Sequence, residues 1–309
     1  VDEAVQSEYK RIENALVRVL RSDRRAAQKI LSAYLNLLTV YPDQPYDQKP
    51  ILYPDSDVPI VEPENIGDAD TLREKEQRTL EIVRAAIQNG ERALIYTSWV
   101  RTDSQQKLKK LLTDEGERTE IRTDKIKTTD REDWGQKKLA AGMQVLIVNP
   151  SLVETGLDLN AFTTLVFYSM GYKLFTLRQA SRRSWRINQK APAVKVYMLY
   201  YEDTMQQKCL KLMASKLAVA GLIEGNFSEE GLAAMNDVQD MTSQMAKELM
   251  LGIRDNVEDI AAAFKKMAFE NPDREVSEVP AEETSLPPET VPARIEQPKR
   301  VFTAEQEEK

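Results

Sequence analysis

The residues best suited to chemistry lie in the stretch Gln179-Ala180-Ser181-Arg182-Arg183-Ser184-Trp185-Arg186-Ile187-Asn188-Gln189 of this 309-residue chain. Arg183 and Arg186 are three apart, so on a helix both guanidinium groups share one face. Two permanently charged planar forks in that arrangement match the oxygens of a triphosphate. An arginine inserted from a second lobe can neutralise charge on a transferring phosphoryl group, an effect of roughly 10³–10⁵ in rate where it has been measured in other systems. Spacing alone favours the plainer alternative, a surface arginine cluster paired with acids. The chain has no histidine, which removes a histidine general base and every histidine metal ligand. Cys209 is the single cysteine, so neither an internal disulfide nor a cysteine zinc cluster can form. This usage fits a reducing compartment. Chemistry falls to carboxylates, arginine, lysine, hydroxyls or backbone.

Among the 11 glycines there is no G-x-x-x-x-G-K-[ST] and no G-x-G-x-x-G. The chain therefore lacks a glycine-rich phosphate cradle of either kind. The net charge of −7 conceals a segregation: residues 91–220 carry 22 Lys and Arg against 14 Asp and Glu. A basic middle in an acidic chain points to a local polyanion surface, although charge alone favours ordinary solvated side chains. No apolar run reaches membrane-spanning length, which gives no indication of a membrane partner.

These residues need elements to position them. Residues 4–38 read as two helices, with Tyr9, Ile12, Leu16 and Leu20 on one face. A passage with Pro42, Pro45, Pro50, Pro54, Pro59 and Pro63 then interrupts regular structure. From residue 70 helices and strands alternate. Asp70 is placed to cap a helix ending near Gly90, and Ala93–Tyr96 reads as a buried strand. A helix with Leu108, Leu111 and Leu112 inward ends at Gly116, followed by a strand over Thr119–Arg122. A further helix starts at Thr129 or Asp130, and strands follow over Val145–Val148 and Leu165–Tyr168. A helix is expected over 174–187, a strand over Val194–Leu199 and a helix over 204–219. Continuous apolar strands separated by amphipathic helices mean a parallel sheet covered on both faces, with ligands at the carboxyl ends of its strands. Thr97, Ser98, Ser151 and Thr155 fall at such ends, where hydroxyls and amides bind phosphates without reading sequence. Residues 228–268 read as helical and Met-rich, a face for the sheet domain or for a protein partner. Residues 271–309, with six prolines, ten acids and no glycine, are expected to be disordered.

The arginine stretch resembles motif VI of superfamily-two helicases, and its ending Arg186-Ile187-Asn188-Gln189 resembles the R-I-G-Q of Swi/Snf-type translocases. Other segments fall in the family's order. Arg92–Trp99 resembles motif IV. Val145–Leu159, containing Glu154-Thr155-Gly156-Leu157-Asp158-Leu159, resembles motif V. Leu37-Leu38-Thr39-Val40-Tyr41-Pro42 sits where the family has a short helix and turn. The departures are Arg182, Trp185 and Asn188, where the family usually has Gly or Asp, His, and Gly; motif V also lacks paired glycines. They suggest a divergent branch, of mobile-element or phage type.

The resemblance implies an α/β, RecA-like parallel sheet with helices on both faces and helical extensions at both ends. Its expected divisions are a helical, then Pro-rich segment over 1–70, the lobe over 71–220, helices over 221–270 and the acidic tail over 271–309. It implies the second lobe of an ATP-dependent DNA translocase, with Arg183 and Arg186 as catalytic arginines. Gln179, Gly156 and Asp158 join them around the nucleotide, while Thr97, Ser98, Ser151 and Thr155 meet the nucleic acid. ATP and Mg²⁺ would be held mainly by a first, amino-terminal RecA-like lobe absent from this chain, and the polymer would be duplex DNA. A strand-separating helicase of DNA or RNA shares the same motifs, and a docking module derived from such a lobe is the non-enzymatic alternative. The setting implied is the cytoplasm, or the nucleus in a eukaryote. Lacking a phosphate cradle, this chain by itself should release phosphate from ATP at less than about 1 s⁻¹, the low end of ordinary enzyme rates, in an assay with saturating duplex DNA.

Overall fold

A computed structural model describes residues 2–98, 104–153, 159–169, 193–224 and 301–305. Two helices lead, α1 (Glu3–Ser22) and α2 (Arg24–Val40). Asp23 separates them: its carboxylate accepts from the backbone N–H of Arg25 and of Ala26, the bonds that open a helix. Tyr9, Ile12 and Leu16 are buried on the face their spacing predicts. The proline-rich passage yields only a short antiparallel pair, β1 (Ile51–Leu52) and β2 (Pro59–Val61).

Helix α3 spans Glu74–Gln88, so Asp70 is not its cap. The Asp68 carboxylate instead accepts from the N–H groups of Asp70 and Thr71, which makes a turn of that stretch. Glu76 reaches back to the N–H of Arg73, at 2.9 Å, and so starts the helix. Strand β3 (Ala93–Tyr96), helix α4 (Ser104–Asp114), strand β4 (Thr119–Arg122), helix α5 (Arg131–Ala140) and strand β5 (Val145–Val148) follow. Gly90 and Gly116, beyond α3 and α4, take φ of +74° and +92°, which glycine reaches without a steric penalty. Strand β6 is Thr164–Phe167, one residue earlier than expected, and β7 is Lys195–Tyr201. Helix α6 runs Met205–Glu224. The helix expected over 174–187 lies outside the described residues.

The strands order as β4-β5-β3-β6-β7, each pair parallel. This is the RecA-like α/β sheet that the resemblance implies. Within the tail expected to be disordered, Val301–Glu305 form β8, antiparallel to β7. The expectation fails at these five residues because Val-Phe-Thr-Ala-Glu is free of the prolines that dominate the rest of the tail and starts with strand-favouring side chains.

Every residue of β3, β5 and β6 is buried, so alternate residues line two cores. Ala93, Ile95, Val145 and Ile147 meet Ile82 and Val83 of α3 and Leu108 and Leu112 of α4. Leu94, Tyr96, Leu146 and Phe167 share the other core with α1, α2 and α6, and Tyr96 stacks on Phe167, its partner in register, at 4.8 Å between centroids. The amino-terminal helices are bonded to α6 as well as packed on it. The Tyr9 hydroxyl accepts from the N–H of Met205 at 2.7 Å, and Glu13 pairs with Lys208 at 2.6 Å.

One buried ion pair joins these parts. Lys75, in the first turn of α3, lies 2.9 Å from the Asp43 carboxylate just beyond α2; their side chains are 1% and 9% exposed. Lys75 also donates to Gln206 of α6 at 3.0 Å, and Gln206 donates to the Thr39 carbonyl and to Asp43. The Lys75 ammonium lies 4.9 Å and 5.5 Å from the ring centroids of Tyr168 and Tyr201. Removing one member of such a pair leaves an uncompensated buried charge. Lys75→Met and Asp43→Asn should each cost about 3–5 kcal/mol in urea unfolding, while a double replacement by apolar residues should cost less than the sum of the two.

Candidate nucleic-acid and nucleotide interface

The strands run in parallel, so their carboxyl ends form one edge. Thr97 and Ser98 follow β3, Asn149 and a 3₁₀ turn over Pro150–Val153 follow β5, and Tyr168 and Ser169 follow β6. β3 is central, so the residues after it are flanked by those after β5 and β6.

Ser98 sits between its neighbours. Its N–H donates to the Ser169 hydroxyl at 2.8 Å, its own hydroxyl donates to the Ser169 carbonyl at 3.1 Å, and its carbonyl accepts from Asn149 at 3.3 Å. It is half-buried, with part of the residue still facing solvent. Thr97 is different. It is fully buried, its N–H donates to the Val148 carbonyl, and its hydroxyl accepts from Gln105 of α4 at 2.8 Å. The structure thus places Thr97 inside the lobe, tying β3 to α4, and Ser98 at the surface of the edge. Ser151 lies in the 3₁₀ turn beside them, with its backbone alone described. Thr155, Gly156, Asp158, Gln179, Arg183 and Arg186 lie outside the described residues.

Asn149, Ser169 and Gln105 were not singled out by sequence, although the strand-end rule that selects Ser98 applies equally to Asn149 and Ser169. Gln105 had no such signal, because only packing shows that its amide turns toward Thr97. The edge is backed by the ion-paired layer beneath it. Burial pushes the Lys75 ammonium down from its ordinary value against the opposing pull of Asp43, and it pushes the Tyr168 hydroxyl well up. Burial also raises the Glu76 carboxyl, although Lys107 lies 2.8 Å away. Asp43, Gln44, Glu76, Lys107 and Tyr168 line a small cavity beside this layer. Among the described residues no group of three or more His, Cys, Asp or Glu could hold a metal ion, and no helix is long and apolar enough to cross a membrane.

Residues 74–188 match the model of the helicase conserved C-terminal domain. That part of the chain is thus similar in sequence to a helicase C-terminal domain, and its parallel sheet has the RecA-like α/β fold. The SWI2/SNF2 ATPase core of Sulfolobus solfataricus, solved in complex with dsDNA, is similar in structure: TM-score 0.55 and 17% identity over 82% of this chain and 48% of that one. The C-terminal part of the Fun30 ATPase domain gives a TM-score of 0.48 at 13% identity, over 80% of this chain and 96% of that one. This chain therefore spans about half the length of the Sulfolobus core. No curated protein matches it.

The geometry separates two roles for Thr97. Thr97→Val keeps the shape but leaves the buried Gln105 amide without its acceptor. It should lower stability by about 1–3 kcal/mol in urea unfolding and leave affinity for nucleic acid unchanged in a direct titration.

Proposed function

We propose that this chain is the second motor lobe of an ATP-driven, Swi/Snf-related DNA translocase, working with an amino-terminal RecA-like lobe on duplex DNA. The observation that carries the reading is the helicase C-terminal domain match over 74–188, because it takes in, in order, the segments resembling motifs IV and V and all but the last residue of the one resembling motif VI. The likeness of the fold to an ATPase core solved with dsDNA supports duplex DNA as the substrate.

In this reading Ser151 and Thr155 offer hydroxyls and amides to the phosphate backbone at the carboxyl edge, binding without sequence preference, while Ser98, whose N–H and hydroxyl already donate to Ser169, shapes the edge beside them. The excess of cations over 91–220 supplies the attraction, which should weaken steeply with salt. Thr97 acts one step back, holding β3 against α4 through Gln105. Arg183 and Arg186 present two forks to the γ-phosphate when the lobes close, while Gln179, Gly156 and Asp158 complete the nucleotide's surroundings from this side. Bound ATP with Mg²⁺ supplies the phosphoryl group whose transfer drives movement. This lobe's own contribution is the neutralisation of charge by its arginines.

In the protein that includes a first lobe, Arg186→Ala should lower kcat by about 10³-fold or more while duplex affinity changes by less than about threefold. Arg183→Ala should act similarly, and Arg→Lys should rescue neither, because an ammonium cannot reproduce the fork. Arg182→Ala is the internal control, with a mild effect on turnover. Steady-state kinetics alongside a DNA titration decide it: normal turnover by Arg186→Ala, or equal damage from Arg182→Ala, overturns this assignment of the arginines.

A further inference from the structure

Arg122 ends β4 and is fully buried. Its Nη2 donates to the carbonyl of Leu152 at 2.6 Å. Its Nε and Nη1 are buried too, and no described residue provides them with a hydrogen-bond partner. Burial, with Arg131 nearby, brings the guanidinium down to about 10, which leaves it a cation at neutral pH.

Among the described residues Arg122 meets no matching anion; a buried cation so placed is costly, and an orphaned donor in a folded protein needs a reason. Space-filling is not one, since a methionine would occupy similar room with no charge to desolvate. Holding the Leu152 carbonyl is not a full reason either, since a neutral amide could donate there. Location gives the reason. Arg122 is in register with Val148, the last residue of β5. Leu152 lies four residues further on, in the turn that follows β5 within the stretch resembling motif V. The side chain therefore reaches from the end of one strand to the path by which its neighbour leaves the sheet. Groups held at a cost to stability collect where geometry serves turnover.

We infer that Arg122 is a positioning residue for the chain leaving β5, and that its charge serves turnover rather than folding. The second half rests on the proposed motor function; the first does not. The test uses the protein with both lobes and the variants Arg122→Met, which loses donor and charge, and Arg122→Gln, which retains a donor. For Arg122→Met the melting midpoint should hold or rise. DNA-stimulated kcat should fall by about tenfold to a hundredfold, with KM for ATP within about threefold, and amide exchange should quicken after residue 149 but not in β3, β5 or β6. Arg122→Gln should restore protection from exchange but not turnover. A falling midpoint with kcat reduced only in proportion to the folded fraction would show a structural pin and overturn the inference, as would unchanged turnover and exchange. If the unsubstituted protein does not turn over ATP, the motor reading has failed; the exchange comparison then decides the positioning role alone, and unchanged exchange overturns it.

Discussion

The lobe depends on one buried ion pair. Lys75 and Asp43 come from opposite sides of the proline-rich passage, and Gln206, far along the chain, completes their hydrogen bonds. Each charge would be expensive alone in the interior, so each requires the other in place. That mutual requirement fixes the start of α3 against the end of α2 and the first turn of α6. It also sets Tyr168 and Tyr201 around the ammonium, and Tyr168 follows β6 at the edge where the candidate site lies. The site's floor is thus held by a contact between segments remote in sequence.

The same economy governs the edge. Ser98 has its carbonyl, N–H and hydroxyl engaged by Asn149 and Ser169, from the two flanking strands. Each bond is of modest net worth, about 1 kcal/mol. Together they tie Ser98, just beyond the central strand, to both of its neighbours, the preorganisation that the proposed phosphate-facing edge would need before contact. Thr97 shows the complementary case, a hydroxyl directed inward to secure α4.

Charge is similarly redistributed by folding. The excess of cations over 91–220 is a property of composition, but among the described residues six of its lysines face acids: Lys107 pairs with Glu76, Lys110 with Asp70, Lys109 and Lys138 with Glu120, Lys195 with Glu91, and Lys208 with Glu13. Three of those acids, Glu13, Asp70 and Glu76, lie outside the basic segment. The field presented to a polyanion is therefore smaller than the residue count implies.

The sequence by itself determined the parallel sheet, because uninterrupted apolar strands such as Val145–Val148 can be satisfied only between two helical layers. It also determined the two leading helices, through the spacing of Tyr9, Ile12 and Leu16, and it made Thr97 and Ser98 candidates by their place after a strand. Local signals were weaker where competing side chains were close together: Asp68, not Asp70, made the turn, and Glu76 started α3. Only the tertiary structure decided that Thr97 turns inward and Ser98 outward, that Lys75 belongs with Asp43, and that Arg122 is buried with no acid beside it among the described residues. Those outcomes depend on which elements meet across large sequence separations. A pattern of spacing records the face a residue takes on its own helix or strand, but not the identity of the group that packing brings opposite it.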